Sequence, residues 1–330
     1  MRLRILSASD IRLALPMTSA IAAVESAFIE FSSGRATVPP RAHITPDPYA
    51  GTTLFMPAFL PSLGAFGVKI ISIFPGNSPC RIPTIHALVL LLDPATGVPL
   101  GILDGGSLTA LRTGAASGVA TKYLSRPEAS SAAVIGAGVQ GRGQLEAVCS
   151  VRRIERAFVF DIRSDAAGLF AKELSGRGAP FPSDIRPVSS PADAIRQAEI
   201  VCCATTSRAP VFADTDIAPG VHINAIGSYE PHVQEVPPEI LRRSSVFVDS
   251  VEASLAETGD FLVPMASGLF SPDMIRGEIG SVASGDLPGR SSPREITVFK
   301  SVGLAVQDVC AGRAALAEAE RLGLGMTIDV

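Results

Sequence analysis

Apolar and polar positions along the 330-residue chain fall into successive patterns. A short apolar strand, Leu3 to Leu6, comes first. Ile21, Val24, Phe28 and Phe31 then recur at three- and four-residue spacing, which predicts a helix from about Met17 to Phe31 with Gly34 as its stop. From Val38 to Leu103, Pro and Gly punctuate the β-rich runs TTLFMPAFL, AFGVKIISIF and HALVLLLD, the last followed by the turn PATG. That texture predicts an antiparallel sheet. A helix from about Ser107 to Leu124, rich in small residues, follows and is suited to close packing.

At Ser131 the pattern changes. Ala132–Ile135, Arg156–Phe160, Ile200–Cys203, His222–Ile226 and Val246–Val248 read as strands alternating with helical stretches as far as about Asp249. Such alternation predicts a doubly wound parallel sheet. Residues 264–293, rich in Gly, Ser and Pro, are expected to be irregular. The run TVFKSVGLAVQDVCAGRAALAEAERLG reads as one long helix with a partial break.

Composition narrows the class. Hydrophobic residues make up 47% and charged ones 18%, which supports a sizeable core and excludes a disordered chain. The length favours two domains. A net charge of −4 without a basic stripe argues against nucleic acid. Five cysteines without a CxxC, two of them adjacent in the apolar run IVCCATT, point to a reduced, cytoplasmic protein. Asp10 and Arg12 interrupt the N-terminal apolar stretch, and Asp93 and Pro94 break the most hydrophobic window. Neither an export signal nor a membrane span is expected. His43, His222 and His232 show no HxH or HExxH spacing, so no metal is expected.

Gly136-Ala137-Gly138-Val139-Gln140-Gly141 follows an apolar strand and opens a helix. The first glycine allows a tight turn, the second the approach of a pyrophosphate, and the third close packing of helix on strand. The next strand ends in Asp161, 20 residues after Gly141, where an acid can bind a ribose 2′-hydroxyl. A dinucleotide is the expected ligand. Asp161 tilts the choice towards NAD(H), and Arg163 keeps NADP(H) open by offering a partner for a 2′-phosphate.

A second group is cationic. Only four of the 28 basic residues are lysines, yet Lys69 stands within the apolar run FGVKIISIF. Arg112 lies in the small-residue helix and Arg41 follows Pro39-Pro40. Guanidinium groups are forks for carboxylates, and a lysine held in an apolar pocket can shift its ionisation. For each one singly, an ordinary salt bridge and a ligand contact remain alternative readings.

The chain resembles the ornithine cyclodeaminase/mu-crystallin family. The resemblance is carried by Arg41 after the double proline, LFMPAF (54–59), FGVK (66–69), the stretch 85–124 and VIGAGVQG (134–141). It continues in ATTS (204–207), HINAIGSYEP (222–231), VFVDSVEASLAETGD (246–260) and TVFKSVGLAVQD (297–308). It implies an α/β protein: a Rossmann doubly wound sheet over 125–299, and a discontinuous α+β substrate and dimerisation domain from 1–124 with 300–330. Members resemble homodimers joined through their N-terminal sheets. By analogy Arg41, Lys69 and Arg112 hold a substrate carboxylate beside the nicotinamide. Thr113, Gly138, Val139, Gln140, Asp161, Thr205, Ser228 and Ser301 would lie along the cofactor, with Gly136 and Gly141 shaping its loop. His86 matches a histidine of mu-crystallin-like members and would touch substrate or nicotinamide, a hydrogen-bonded core histidine being the alternative. Asp260 and Glu252 recur in the family pattern as caps or helix partners.

The family includes cyclodeaminases, an alanine dehydrogenase and ketimine reductases. Cyclodeaminases carry an aspartate where this chain has Tyr229, and a glutamate where it has Leu54. A tyrosine, with a pKa of about 10, is not an anion at neutral pH. The resemblance therefore implies NAD(P)H-dependent reduction of a cyclic 2-imino acid, Δ1-pyrroline-2-carboxylate or Δ1-piperideine-2-carboxylate, to L-proline or L-pipecolate. Ornithine cyclodeamination with Glu230 in the aspartate's role, alanine dehydrogenation, and a non-enzymatic nucleotide- and acid-binding protein are the alternatives.

Overall fold

In the computed structural model, which describes residues 2–330, alternation along the early part of the chain produces strands with one buried side. The chain begins β1 (Arg2–Leu6), α1 (Ala8–Ala14), α2 (Met17–Ser32), β2 (Ala42–Ile44), β3 (Thr52–Leu60), β4 (Ala65–Ile73), β5 (Ile85–Leu92), β6 (Pro99–Asp104) and α3 (Gly105–Leu124). It continues β7 (Ser131–Ile135), α4 (Val139–Val151), β8 (Arg156–Phe160), α5 (Ser164–Ser175), β9 (Asp184–Pro187), α6 (Pro191–Ile195), β10 (Ile200–Cys203), β11 (His222–Ala225) and α7 (Pro238–Arg242). Then come β12 (Ser245–Val248), α8 (Val251–Glu257), α9 (Gly259–Ala266), β13 (Ile275–Glu278), α10 (Ile279–Ser284), β14 (Thr297–Lys300), α11 (Ala305–Leu322) and β15 (Met326–Asp329). Two units result. One holds the residues up to Arg112 with Leu304–Val330, the other Thr113–Gly303, so the division falls inside α3. Among the described residues no single helix is long and apolar enough to cross a membrane.

The first unit is built on a seven-stranded sheet in the order β15-β1-β6-β5-β4-β3-β2. Neighbours from β2 to β6 are antiparallel, while β1 runs parallel to β6. Met56, Ala58 and Leu60 of β3, Ala65 and Lys69 of β4, and Val89 and Leu91 of β5 are buried on one face. Period-two alternation puts them there together. Helix α11 packs on these three strands, and on α1 and α2. Its approach to β6 is close: a Cβ on Gly101 would lie 3.0 Å from Leu316 Cδ1. The opposite face carries Val68, Ile70, Leu90 and Ile102 half-buried, with Leu88 52% exposed.

The second unit holds an eight-stranded sheet in the order β13-β12-β14-β11-β10-β7-β8-β9, every pair parallel. The chain leaves β7 in one direction through β8 and β9, then returns to β10 on the other side of β7. The strand order therefore switches beside the glycine loop that follows β7, which is where doubly wound sheets bind ligands.

Two expectations need correction. TVFK, read as the start of a long helix, is strand β14, fully buried between β11 and β12. Its chain turns before α11 at Gly303, whose φ is +85°, and Asp249 Oδ2 accepts the amides of Val302 at 3.0 Å and Gly303 at 2.7 Å. Residues 264–293 are not wholly irregular either, since they contain β13 and α10.

Lys300 at the end of β14 is as deeply buried as Lys69, so lysine scarcity alone does not mark a functional amine. Its Nζ donates to Asp260 Oδ2 at 2.9 Å, and Asp260 Oδ1 accepts the amides of Glu235 and Val236 at 2.7 and 3.1 Å. Removing one partner of such a buried pair strands the other charge. Asp260→Ala should therefore lose about 3–5 kcal/mol in chemical denaturation, whereas a loss below about 1 kcal/mol would show that the pair is structurally idle.

Candidate functional site

In the first unit, sheet and returning helix bring three distant residues together. Lys69 sits on the buried side of β4, opposite Met56 and Val89 in the neighbouring strands. Its Nζ donates to Asp308 Oδ2 at 2.7 Å. Arg112 of α3 donates from Nε to Asp308 Oδ1 at 3.0 Å and from Nη1 to Gln307 Oε1 at 2.8 Å. Thr109, one helical turn earlier, donates to Asp308 Oδ1 at 3.5 Å. Lys69, Arg112, Gln307 and Asp308 are all buried. Arg41, just before β2, lines a cavity of about 40 Å³ with Met56 and with Leu304 and Ala305, at the same end of α11 as Asp308.

Charge does not balance within this cluster. Asp308 is shared between Lys69 and Arg112, leaving these three groups one positive charge in excess. Burial pushes the Lys69 amine down to about 8, with Asp308 opposing the fall and Arg112 and Arg41 adding to it. Burial alone would raise the Asp308 carboxyl, but Arg112 and Lys69 hold it below the usual carboxylate value. Such a site favours an incoming anion. Gln307 reinforces that reading: its Oε1 accepts from Arg112 and from the Leu304 amide, while its buried Nε2 has no partner among the described residues.

His86 is not brought to this cluster. It pairs with Ser72, while Lys69 pairs with Val89, and alternation puts His86 on the opposite, exposed side of the sheet. The core-histidine reading fails for the same reason. Leu54 does share the face of Met56 and Lys69, half-buried.

In the second unit the glycine loop has the shape a pyrophosphate requires. Gly136 has φ +104°, and a Cβ there would lie 2.4 Å from Ala204 O. A Cβ on Gly141 would lie 2.0 Å from Gly136 O, whereas one on Gly138 would meet nothing within 4 Å. The loop is thus closed at its first and third glycines and open at the second. Gly138 is the N-cap of α4 and offers no side chain, so the first amides of the helix meet no capping side chain. Asp161 at the end of β8 is fixed by the amides of Ala137 and Arg163, each at 2.9 Å. Val139 and Ile162 are 70% and 93% exposed beside this loop. These residues fit a dinucleotide.

The remaining cofactor candidates are held from within. Thr205 donates its amide and hydroxyl to Glu235 Oε1 at 2.6 and 2.5 Å, and Gly227 donates its amide to Glu235 Oε2 at 2.6 Å. One buried carboxylate thus ties together the loops that follow β10 and β11, and burial raises its own pKa. Ser228 Oγ lies 2.8 Å from Thr258 Oγ1, and Ser301 donates to Asp249 Oδ2 at 2.7 Å. Their hydroxyls face inward, so their backbone is what the strand ends present. The Thr113 carbonyl accepts from Gln144 Nε2 at 3.3 Å, and Gln140 Oε1 is buried without a partner among the described residues. Arg163 is exposed as the first cap of α5.

Asp308, Gln307, Glu235 and Asp249 were absent from the expected set. The signal was present: AVQDV and VFVD place acids inside apolar runs, as FGVKI places Lys69. Among the described residues no group of His, Cys, Asp and Glu is arranged to hold a metal.

The family model for the ornithine cyclodeaminase/mu-crystallin family matches residues 1–320. Δ1-Pyrroline-2-carboxylate reductase of Bacillus cereus is 38% identical over 326 residues, covering 98% of this chain and 99% of that protein. The structure of Thermococcus litoralis Δ1-pyrroline-2-carboxylate reductase in complex with NADH and L-proline superimposes with a TM-score of 0.93 at 41% identity, covering 99% and 100% of the two chains. An archaeal alanine dehydrogenase dimer with bound NAD gives a TM-score of 0.91 at 35% identity, covering 100% and 99%.

The closed first and third glycines generate a direct test. Gly141→Ala should weaken NADH binding, followed by its fluorescence, at least about tenfold, equivalent to about 1.4 kcal/mol. Unchanged affinity would mean that the loop does not hold the dinucleotide.

Proposed function

The chain belongs to the ornithine cyclodeaminase/mu-crystallin family, and from that premise we propose that it is an NAD(P)H-dependent reductase of a cyclic 2-imino acid. Δ1-Pyrroline-2-carboxylate or Δ1-piperideine-2-carboxylate would be converted to L-proline or L-pipecolate. The observation that carries this reading is the buried Lys69–Asp308–Arg112 cluster with its excess positive charge, in a chain that also holds a dinucleotide loop. The similarity to a reductase solved with NADH and L-proline supports it.

Arg112 and Arg41 receive the substrate carboxylate and limit its freedom before reaction. Lys69, as an ammonium, pairs with the carboxylate and gives a proton to the imine nitrogen, so that C=N becomes CH–NH. The nicotinamide, when bound, supplies the hydride to the carbon. Asp161 favours NAD(H) through a ribose hydroxyl, and Gly136, Gly138 and Gly141 with the α4 amides of Val139 and Gln140 take the pyrophosphate. Thr113, Thr205, Ser228 and Ser301 contribute backbone along the same ligand.

Cyclodeamination is disfavoured by the residues that replace the family's acids. Burial, then Glu230, push the Tyr229 phenol up, and Glu230 is itself half-exposed with His232 at 3.4 Å. Leu54 carries no charge at all. We also propose a homodimer joined through the first sheet, supported by the apolar face with Val68, Ile70, Leu88 and Leu90. A reducing, cytoplasmic setting suits the buried adjacent thiols of Cys202 and Cys203.

NADH or NADPH oxidation should be seen with five- or six-membered cyclic imino acids, and not with pyruvate plus ammonia. Ammonia release from ornithine with NAD would instead establish cyclodeamination. Lys69→Met should lower kcat/KM by about 10²–10⁴-fold with NADH binding intact, and wild-type turnover in that variant would overturn the role of Lys69. The reaction needs Lys69 protonated, so activity is present below its pKa and lost above it. The wild-type kcat/KM should therefore decline above about pH 8, and a flat profile through that region would contradict Lys69 as the donor.

A further inference from the structure

We propose that Asp308 is a positioning residue for the reaction, a single carboxylate in the first turn of α11 that sets Lys69 and Arg112 for the imino acid and holds the ammonium charged. This rests on the reductase reading above. The geometry is specific. Each carboxylate oxygen takes one cation, Oδ2 with Lys69 at 2.7 Å and Oδ1 with Arg112 at 3.0 Å, and these partners lie 239 and 196 residues away in the chain. Gln307, the preceding residue, takes the other arm of Arg112 at 2.8 Å, so the guanidinium cannot rotate away.

A stability role alone does not account for this arrangement, because buried ion pairs are commonly no better than apolar side chains of similar size. The charged groups facing Lys69 are Asp308 from α11, Arg112 from α3 and Arg41 from the segment before β2, while β3 and β5 present Met56 and Val89. Asp308 thus opposes the two positive charges of Arg112 and Arg41 at the amine. Without it, Lys69 would lose its proton at lower pH and cease to be a donor near neutrality.

The test is the pH dependence of Asp308→Asn and Asp308→Glu against wild type. It is read twice, by NADH oxidation with Δ1-pyrroline-2-carboxylate and by binding of the unreactive planar acid pyrrole-2-carboxylate. In Asp308→Asn, kcat/KM at neutral pH should fall about 10²-fold or more, and the alkaline limb of both profiles should move at least about one pH unit towards acid. NADH affinity should be unchanged. A limb left where the wild type has it would overturn the proposal. Asp308→Glu keeps the charge but moves it by one methylene, so its limb should stay in place while kcat falls. Wild-type kcat and KM in Asp308→Glu would overturn the proposal even if Asp308→Asn fails to fold. If the wild type does not oxidise NADH with the imino acid, the reductase reading fails, and the pyrrole-2-carboxylate profiles alone decide the role of Asp308.

Discussion

One carboxylate divided between two cations is the constraint on which the first unit depends. Asp308 and Lys69 are both buried, so each charge depends on a partner: Lys69 on Asp308, and Asp308 on Lys69 and Arg112. The sheet supplies Lys69 by strand alternation, α3 supplies Arg112, and the chain's final helix must return across β3, β4 and β5 to supply Asp308. The arrangement stops one negative charge short of neutrality.

The second unit uses the same device for another purpose. Glu235 and Asp249 are buried acids whose oxygens accept backbone amides at the ends of strands: Thr205 and Gly227 in one case, Val302 and Gly303 in the other. Asp260 does likewise for Glu235 and Val236 while pairing with Lys300. The hydroxyls of Thr205, Ser228 and Ser301 are likewise turned inward, onto Glu235, Thr258 and Asp249.

Much of this was legible from residue pattern. Arg156–Phe160 and Ile200–Cys203 are strands with the expected bounds, because fully buried parallel strands are short apolar runs between turn signals. The glycine loop is legible because glycine answers directly to shape: Gly136 has φ +104°, and a Cβ on Gly141 would lie 2.0 Å from Gly136 O. What escaped has physical causes. Val298, Val302, Val306 and Val309 recur near a helical period, which hid β14 until Gly303 and Asp249 turned the chain. Strand β13 is four residues long and carries Gly277 at φ +151°, so it lacks the β-branched run that marks a strand. His86 faces away from Lys69 because Val89, the partner of Lys69, lies three residues further along β5, and each step along a strand changes the face of the sheet. Asp308 lies in the apolar run AVQDV, but its partners Lys69 and Arg112 are 239 and 196 residues away, so only the returning topology brings the three together.

The excess positive charge also makes a thermodynamic demand that is independent of turnover. An anion bound beside Lys69 must raise the affinity of the amine for its proton, so binding above the ionisation of the free site takes up protons. Titration calorimetry of pyrrole-2-carboxylate into the NADH-loaded protein, in buffers of different ionisation enthalpy, measures that uptake. The shared-carboxylate arrangement predicts net proton uptake just above pH 8, vanishing towards acid pH where Lys69 is already charged. Binding with no uptake, or with proton release, would contradict it.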